Sequence, residues 1–428
     1  MKAAFYTLGC KVNQYETQEI ISLLKNEGYE IISHKGKADI YIINSCTVTA
    51  ESSRKTRQAV RRFRNDNPHS VIILTGCFPQ AFTEEATALS EADIILGNNA
   101  NHNIIEAINE FNLNKKQTVK VVAHKREDKY KGIEINTFDG HTRAFIKIQD
   151  GCNRYCSYCI IPKARGFSRS RPLEAIRKEI ERLAKAGYKE IVFVGINLSA
   201  YGLDTNGNIC DALQIAEETE GIERIRLGSL EPDHITDDVI ERLAGMKKFC
   251  PQFHLSLQSG SNPVLKRMNR HYTAEEYSEL CSKLKRTFSD ISLTTDIIVG
   301  FPGETEEYFR ETLEFAKKCG FMKVHVFPFS PREGTVAYKF TDKIPNAVKA
   351  ERCSLLQKEC DKIREAFLRE AIGKTVNVLF ETPKGNIPQG YTENYTPVTV
   401  TSDENLCGQI RKVRILSCEN DTCHGILE

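Results

Sequence analysis

The sequence predicts an α/β fold: a small parallel-sheet N-terminal domain, a partial (βα)6 barrel, and a C-terminal all-β module. Three observations predict it. Apolar runs alternate with segments of helical period over the first part of the chain. The alternation restarts near Thr142 and passes through six strand patterns. After one last long helical pattern it stops, and short strand patterns separated by turns take over.

In the first unit KAAFYTLG, ADIYIINS, HSVIILTG and EADIILGNN read as strands, with a helical period over 14–27. Continuous apolar runs of this kind suit a parallel sheet covered on both faces. The unit is expected to span 1–113. A polar, Lys-rich connector with a short hairpin is expected over 114–141. From 142 to 371 the strand patterns are RAFIKIQ, EIVFVG, RIRLGS, QFHLSLQ, SLTTDIIVG and MKVHVFPF. Helical patterns separate them over 173–186, 211–219, 237–246, 274–287 and 304–318. A long helix follows over 346–371. Repeated βα units fit a partial barrel better than an open sheet. The tail, 372–428, carries GKTVNVLFE, YTPVTV and CGQIRKVRIL, a module of small-barrel size.

A chain of 428 residues accommodates two or three domains of ~100–200 residues each. A net charge of +2 excludes a uniformly basic coat protein, so a nucleic-acid surface must come from local patches. The apolar run AAFY is too short for an export signal. No stretch reaches the ~18 apolar residues of a membrane span. A cytoplasmic location with reduced thiols is expected. Fifteen cysteines then point to metal or cluster ligands rather than a disulfide scaffold.

Cys152, Cys156 and Cys159 are spaced C-x3-C-x2-C, directly after the strand RAFIKIQ. Structural zinc usually takes four ligands, commonly as two pairs. Three thiolates instead satisfy three irons of a [4Fe–4S] cluster and leave the fourth iron open to a substrate. Zinc or a simple electron relay is the plainer alternative. Tyr158, inside the trio, is placed to pack beside an adenine. This spacing at the first strand of a βα barrel resembles the radical S-adenosylmethionine superfamily, whose members cleave that cofactor reductively to a 5′-deoxyadenosyl radical.

Cys10, Cys46 and Cys77 each follow a strand pattern directly, in TLGC, INSC and LTGC. In a parallel sheet those points share the carboxyl edge, where open α/β sheets bind ligands. Gly9 and Gly76 allow close backbone approach there. The plainer alternative is three buried core cysteines. TLGCKVNQYET, NSCTVT and LTGC resemble the N-terminal domain of the methylthiotransferases, and the resemblance covers nearly the whole chain. It implies two [4Fe–4S] clusters, an auxiliary one on Cys10, Cys46 and Cys77 and a radical-generating one on Cys152, Cys156 and Cys159. It implies two molecules of S-adenosyl-L-methionine per turnover, and a C-terminal TRAM RNA-binding module. The opening segment resembles the bacterial subgroup that converts N6-threonylcarbamoyladenosine at tRNA position 37 to its 2-methylthio form. Isopentenyladenosine tRNA and a ribosomal-protein aspartate are the alternative targets within the family. A non-catalytic iron–sulfur or zinc RNA-binding protein is the alternative outside it.

Cofactor contacts are expected just beyond strand ends: Asn197 and Tyr201, Ser229 and Glu231, Gln258 and Ser261, and Asp296 before the Gly300–Gly303 turn. Glu304 reads as first-turn acid of the next helix. His254 and His325 fall inside strands and are expected as wall residues. Three basic runs are expected to meet RNA phosphates: Arg54, Arg57, Arg61 and Arg62; Lys163, Arg165 and Arg169; Lys266, Arg267 and Arg270. Arg411 and Lys412, with Tyr391 and Tyr395, are expected to do so in the tail. Cys407, Cys418 and Cys423 are expected as separate thiols. The implied partners are the anticodon stem-loop of ANN-decoding tRNAs and an external reductant such as flavodoxin or ferredoxin, with the protein a monomer.

Overall fold

A computed structural model describes residues 1–133, 135, 138, 142–381 and 387–428. The N-terminal unit runs β1 (Lys2–Thr7), α1 (Lys11–Asn26), β2 (Glu30–Ile32), β3 (Ile40–Ser45), α2 (Ala50–Asp66), β4 (Val71–Gly76), α3 (Cys77–Ala81), α4 (Thr83–Thr87), β5 (Ile94–Leu96), α5 (Ile104–Asn114) and β6 (Thr118–Lys120). Its sheet has the order β2-β1-β3-β4-β5-β6, parallel throughout. The central strand β3 explains why the sequence shows a run rather than an alternation. Ile40 and Ile42 pack with Ile20, Leu24 and Ile104 on one face, and Tyr41 and Ile43 with Ala59, Val60 and Phe63 on the other. Each of the isoleucines, with Leu24, Val60 and Phe63, contributes about 1.5–3 kcal/mol by burial.

Two strands were not legible. β2 and β6 have three residues each and lie at the sheet edges, with little apolar signal. β6 carries this domain beyond the expected boundary at 113, into the expected connector. That connector shows no hairpin among its described residues.

The second unit runs β7 (Ala144–Lys147), β8 (Gln149–Asp150), α6 (Ile161–Arg165), β9 (Arg169–Ser170), α7 (Leu173–Lys185), β10 (Glu190–Val194), α8 (Ile209–Glu218), β11 (Arg224–Leu227), β12 (Ser229–Leu230), α9 (Asp237–Gly245), β13 (Gln252–Leu255), α10 (Asn262–Arg267), α11 (Ala274–Thr287), β14 (Ser292–Val299), α12 (Glu306–Cys319), β15 (Lys323–Pro328) and α13 (Asn346–Arg369). β11-β10-β7 and β12-β13-β14-β15 are two parallel sheets. The single segment 224–230 links them, pairing with β10 before Gly228 and with β13 after it. Among the described residues no ladder joins β7 to β15, so the barrel is open. Helix α1 of the first unit packs on β7, and its Val12 and Tyr15 join the barrel's own core.

The tail strands β16 (Thr375–Phe380), β17 (Gln389–Tyr391), β18 (Pro397–Val400), β19 (Ile410–Glu419) and β20 (Thr422–Leu427) close into a barrel. Two expectations are corrected here. Tyr391 and Tyr395 stack on each other at 4.5 Å, with Arg143 and Arg226 of the large barrel 5.0 Å over the rings. Arg224 donates to the carbonyls of Tyr391 and Asn377, and Arg226 to those of Thr392 and Glu393. These aromatics therefore belong to a domain interface rather than to an RNA platform. Cys418 and Cys423, expected as separate thiols, oppose each other across the β19–β20 ladder and form a disulfide. Cys407 is exposed and forms no disulfide with either of them.

Glu304 also differs from expectation. Thr305 caps α12, and Glu304 lies before that cap, buried. Its Oε1 accepts from Gly300 N at 2.8 Å and from Arg352 Nη1 at 2.6 Å, bracing the turn against α13. Among the described residues no helix is long and apolar enough to cross a membrane.

Candidate functional site

Adjacent strands β1, β3 and β4 end level with one another: Thr7 pairs with Asn44, and Asn44 with Thr75. The residues that follow are Cys10, Cys46 and Cys77. A side chain at Gly9 (φ +110°) would place its Cβ 2.9 Å from the Cys46 Cβ. One at Gly76 (φ +97°) would meet the Ser45 carbonyl at 2.5 Å. Only glycine lets these loops converge. Asn13 pins them, donating from Nδ2 to Leu8 O and Ser45 O at 2.9 Å each, while the Cys10 thiol donates to its Oδ1 at 3.6 Å.

Burial pushes Cys77 up to about 12 and raises Cys10. Arg165 opposes the rise in both, and the other two thiols of the trio add to the Cys77 rise. Arg165 Nε lies 3.3 Å from Cys77 Sγ. The three sulfur atoms do not all lie within 4.8 Å of one another, but they are within electrostatic reach, and as thiolates they would repel unless a cationic metal group relieved that repulsion.

The second trio lies on a tight loop. Gly151 (φ +72°) has no room for a Cβ, which would overlap the Phe167 carbonyl at 1.8 Å. Cys152 N donates to Gly166 O and Cys159 N to Cys156 O. Tyr155 sits at φ +51°, held by Asn269 Nδ2 on its carbonyl. Burial pushes Cys152 up to about 11 and Cys159 to about 12, and neighbouring thiols of the trio push the same way. Arg270, ion-paired with Glu231, also donates to Cys156 Sγ at 3.3 Å. Sequence reasoning read Arg270 as part of a phosphate-binding run. The structure makes it a buried partner of this thiol loop.

The two trios are built on one interface. Cys77 and Ala81 of α3 pack against Ile160 and Ala164, which flank and enter α6. Helix α6 begins two residues after Cys159. A buried ionic cluster lies beside both loops. Lys147 Nζ is 2.7 Å from Glu16 and from Asp150. Arg165 pairs with Glu16 and lies 3.6 Å from Asp150, and Arg169 pairs with Asp150 at 3.1 Å. Burial alone raises the Asp150 carboxyl, but Lys147, Arg165 and Arg169 outweigh it and hold it far below the usual carboxylate range.

This corrects the assignment of Arg165 and Arg169 to RNA. Arg165 is 0% exposed and Arg169 9%, and their guanidinium groups are spent on buried carboxylates. Glu16, 149 residues from Arg165, carries no sequence signal for this role.

Among the expected cofactor contacts, Asn197 is buried and its Oδ1 has no partner. Its backbone N–H is fixed by Gln149 Oε1 at 2.8 Å. An orphan buried acceptor costs about 1–3 kcal/mol, so this atom fits a bound donor such as an ammonium group. Tyr158 packs edge-on to Phe301 within the cluster of Val264, Met268 and Phe329. Gln258, just past β13, holds φ +68°, and its backbone bridges to Asp296 O and Ile298 N. Ser229 meets the Ser256 hydroxyl at 3.2 Å. Asp296 lies with two histidines on neighbouring strands: His254 Nε2 is 3.4 Å from its carboxylate, and ligand atoms of His254, Asp296 and His325 lie within 4.8 Å of one another.

The remaining basic residues lie outward. On α2, Arg54 pairs with Glu51, Arg57 with Glu85 and Arg61 with Glu91, while Arg62 lies over the Tyr6 and Phe63 rings. Lys163 and Lys266 are exposed. Arg267 pairs with Asp342 and Arg411 with Glu404, and Lys412 is exposed on β19.

Burial raises the Glu19 carboxyl to about 8, against the pull of Lys147 and the Ile133 N–H. The folded state thus keeps a proton that the unfolded chain releases near the ordinary value of 4.5. Stability from this proton is full below that value and is lost as pH rises through about 8. Glu19→Gln is expected to flatten the decline in melting temperature between about pH 5 and 8.5. An unchanged slope in a thermal scan series would contradict it.

Two family models match the chain: the Radical SAM superfamily over residues 146–316 and Uncharacterized protein family UPF0004 over 2–97. The Bacillus subtilis "Threonylcarbamoyladenosine tRNA methylthiotransferase MtaB" is 40% identical, covering 96% of this chain and 93% of its own. The Thermotoga maritima protein of the same name is 38% identical over 98% and 97%. A Clostridium botulinum "tRNA-2-methylthio-N(6)-dimethylallyladenosine synthase" is 36% identical over 98% and 95%. Among solved structures, the radical S-adenosylmethionine methyltransferase TsrM from Kitasatospora setae shares the fold at a TM-score of 0.56 and 15% identity, covering 77% of this chain and 76% of that one.

Proposed function

The chain belongs to the radical S-adenosylmethionine methylthiotransferases that act on tRNA, and from that premise we propose that its substrate is N6-threonylcarbamoyladenosine in an anticodon loop, converted to the 2-methylthio form. The observation that carries this is the pair of three-thiol loops on one domain interface. Cys10, Cys46 and Cys77 would hold one [4Fe–4S] group, and Cys152, Cys156 and Cys159 another. With S-adenosylmethionine, these groups supply when bound the one-electron chemistry that replaces a C–H bond by C–S–CH3.

The chain's own residues do the rest. Asn197 offers an acceptor, and Tyr158 an aromatic wall, for the small cofactor. Arg270 and Arg165 direct N–H groups at Cys156 and Cys77, steadying negative charge on sulfur. The packing of α3 on α6 fixes the spacing of the two loops. An anticodon-loop base is cheap to unstack and bring between them. An external reductant of the flavodoxin or ferredoxin class supplies the electron.

Mass spectrometry of tRNA nucleosides from a deletion strain is the test. Loss of 2-methylthio-N6-threonylcarbamoyladenosine is expected. Loss of the methylthio form of dimethylallyladenosine would move the target to that of the 36%-identical relative.

The exposed face of α2 is the proposed path for RNA phosphates. Reversing Arg61 and Arg62 to Glu is expected to weaken tRNA binding about tenfold or more, with a shallower salt dependence and unchanged iron content. Unaltered affinity in a filter-binding assay would contradict it.

A further inference from the structure

We propose that Lys11 is the cation that recognises a carboxylate on the N6 substituent of the target adenosine, and so sets the choice among N6-modified tRNAs. This rests on the substrate proposed above. Lys11 follows Cys10 directly, as first residue of α1. Its side chain reaches the barrel, where Nζ lies 5.8 Å from the ring of Phe145. Phe145 is itself 7% exposed, on β7, the strand that leads to the Cys152 loop. Lys11 is nonetheless exposed. The ammonium is thus open to solvent beside a buried ring of the barrel.

The surrounding charge favours an anion. Lys11 is within electrostatic reach of Arg143, Arg226 and Glu190. The neighbouring cations already have partners: Arg143 pairs with Glu190 and Glu381, Arg226 with Glu190, and Lys147 with Glu16 and Asp150. Lys11 alone in this group makes no ion pair or hydrogen bond through its side chain among the described residues. This group of residues thus carries one positive charge without an ion pair, in the segment that also bears Cys10. A threonylcarbamoyl group ends in a carboxylate, whereas an isoprenoid group carries no charge. An ammonium beside a buried ring separates the two.

The test uses full-length, anaerobically prepared wild type, Lys11→Gln and Lys11→Arg. The probes are three anticodon stem-loops that differ only at the target: N6-threonylcarbamoyladenosine, its methyl ester, and plain adenosine. Affinity is read by fluorescence anisotropy, and KM and kcat by product formation, with iron content as the check on the adjacent thiol site. Wild type is expected to bind the free acid about tenfold or more tightly than the ester, which is ~1.4 kcal/mol. Lys11→Gln is expected to abolish that preference, raising Kd and KM for the acid to the ester's values while the other two probes bind as before. Lys11→Arg is expected to retain most of it. A Gln variant that keeps the preference, or weakens all three probes equally, overturns the proposal. Wild type that methylthiolates plain adenosine but neither threonylcarbamoyl loop overturns the substrate assignment itself, and this inference with it. A failure confined to the variant leaves the substrate assignment standing.

Discussion

Alanine at Cys152, Cys156 or Cys159 is expected to bring 5′-deoxyadenosine formation down to background, a fall of at least about 10³-fold, because residues acting as one unit fail together. Each supplies one of only three thiols on a loop whose geometry is already fixed by Gly151, by the Cys152–Gly166 backbone bond, and by Arg270 on Cys156. No fourth cysteine lies near enough in sequence to substitute. The folded protein should survive the change, since none of the three belongs to a main hydrophobic cluster. Retained cleavage of S-adenosylmethionine in any single variant, measured under reduction by chromatography, would contradict the assignment of that cysteine.

Arg165→Ala should have the largest effect on stability. Arg165 is fully buried and shares with Lys147 the counter-charge for Glu16 and, with Arg169 too, that for Asp150, and it gives an N–H to Cys77. Removing one partner from a buried ionic cluster costs about 3–5 kcal/mol, because two desolvated carboxylates are then left to Lys147 and Arg169. The melting temperature of the N-terminal unit should fall by roughly 10 °C. The double variant Arg165→Met with Glu16→Met should be less damaging than Arg165→Ala alone, since it removes the stranded charge with the cation. A single variant that melts within about 2 °C of wild type would show that the cluster does not hold the two domains together.

Much of the site was legible in the sequence because it is local or periodic. C-x3-C-x2-C is read from spacing alone. Cys10, Cys46 and Cys77 are read from each following an apolar strand run, and β1, β3 and β4 prove to be neighbours in register. The parts that were not legible depend on long-range partners. Arg165 and Arg169 sit in a basic run and look like solvated phosphate ligands. Their carboxylate partners lie on α1 and on β8. Arg270 is drawn inward by Glu231, 39 residues away. Tyr391 and Tyr395 look like an RNA platform until Arg226 of β11 and Arg143 are placed over them. β2 and β6 are too short and too exposed at the sheet edges to leave a periodic signal. Lys11 shows a further limit: the letter is visible beside Cys10, but its lack of a partner is visible only once every neighbouring cation is accounted for.

The central claim is that one interface carries two separate three-thiolate iron–sulfur sites. The most direct measurement is iron content, with Mössbauer spectra, of anaerobically prepared wild type and of the variant with Cys10, Cys46 and Cys77 all changed to Ala. About eight irons in the former and about four in the latter, with 5′-deoxyadenosine still released and no methylthio product, is the expected result. Equal iron in both proteins, or zinc in place of iron, would contradict it.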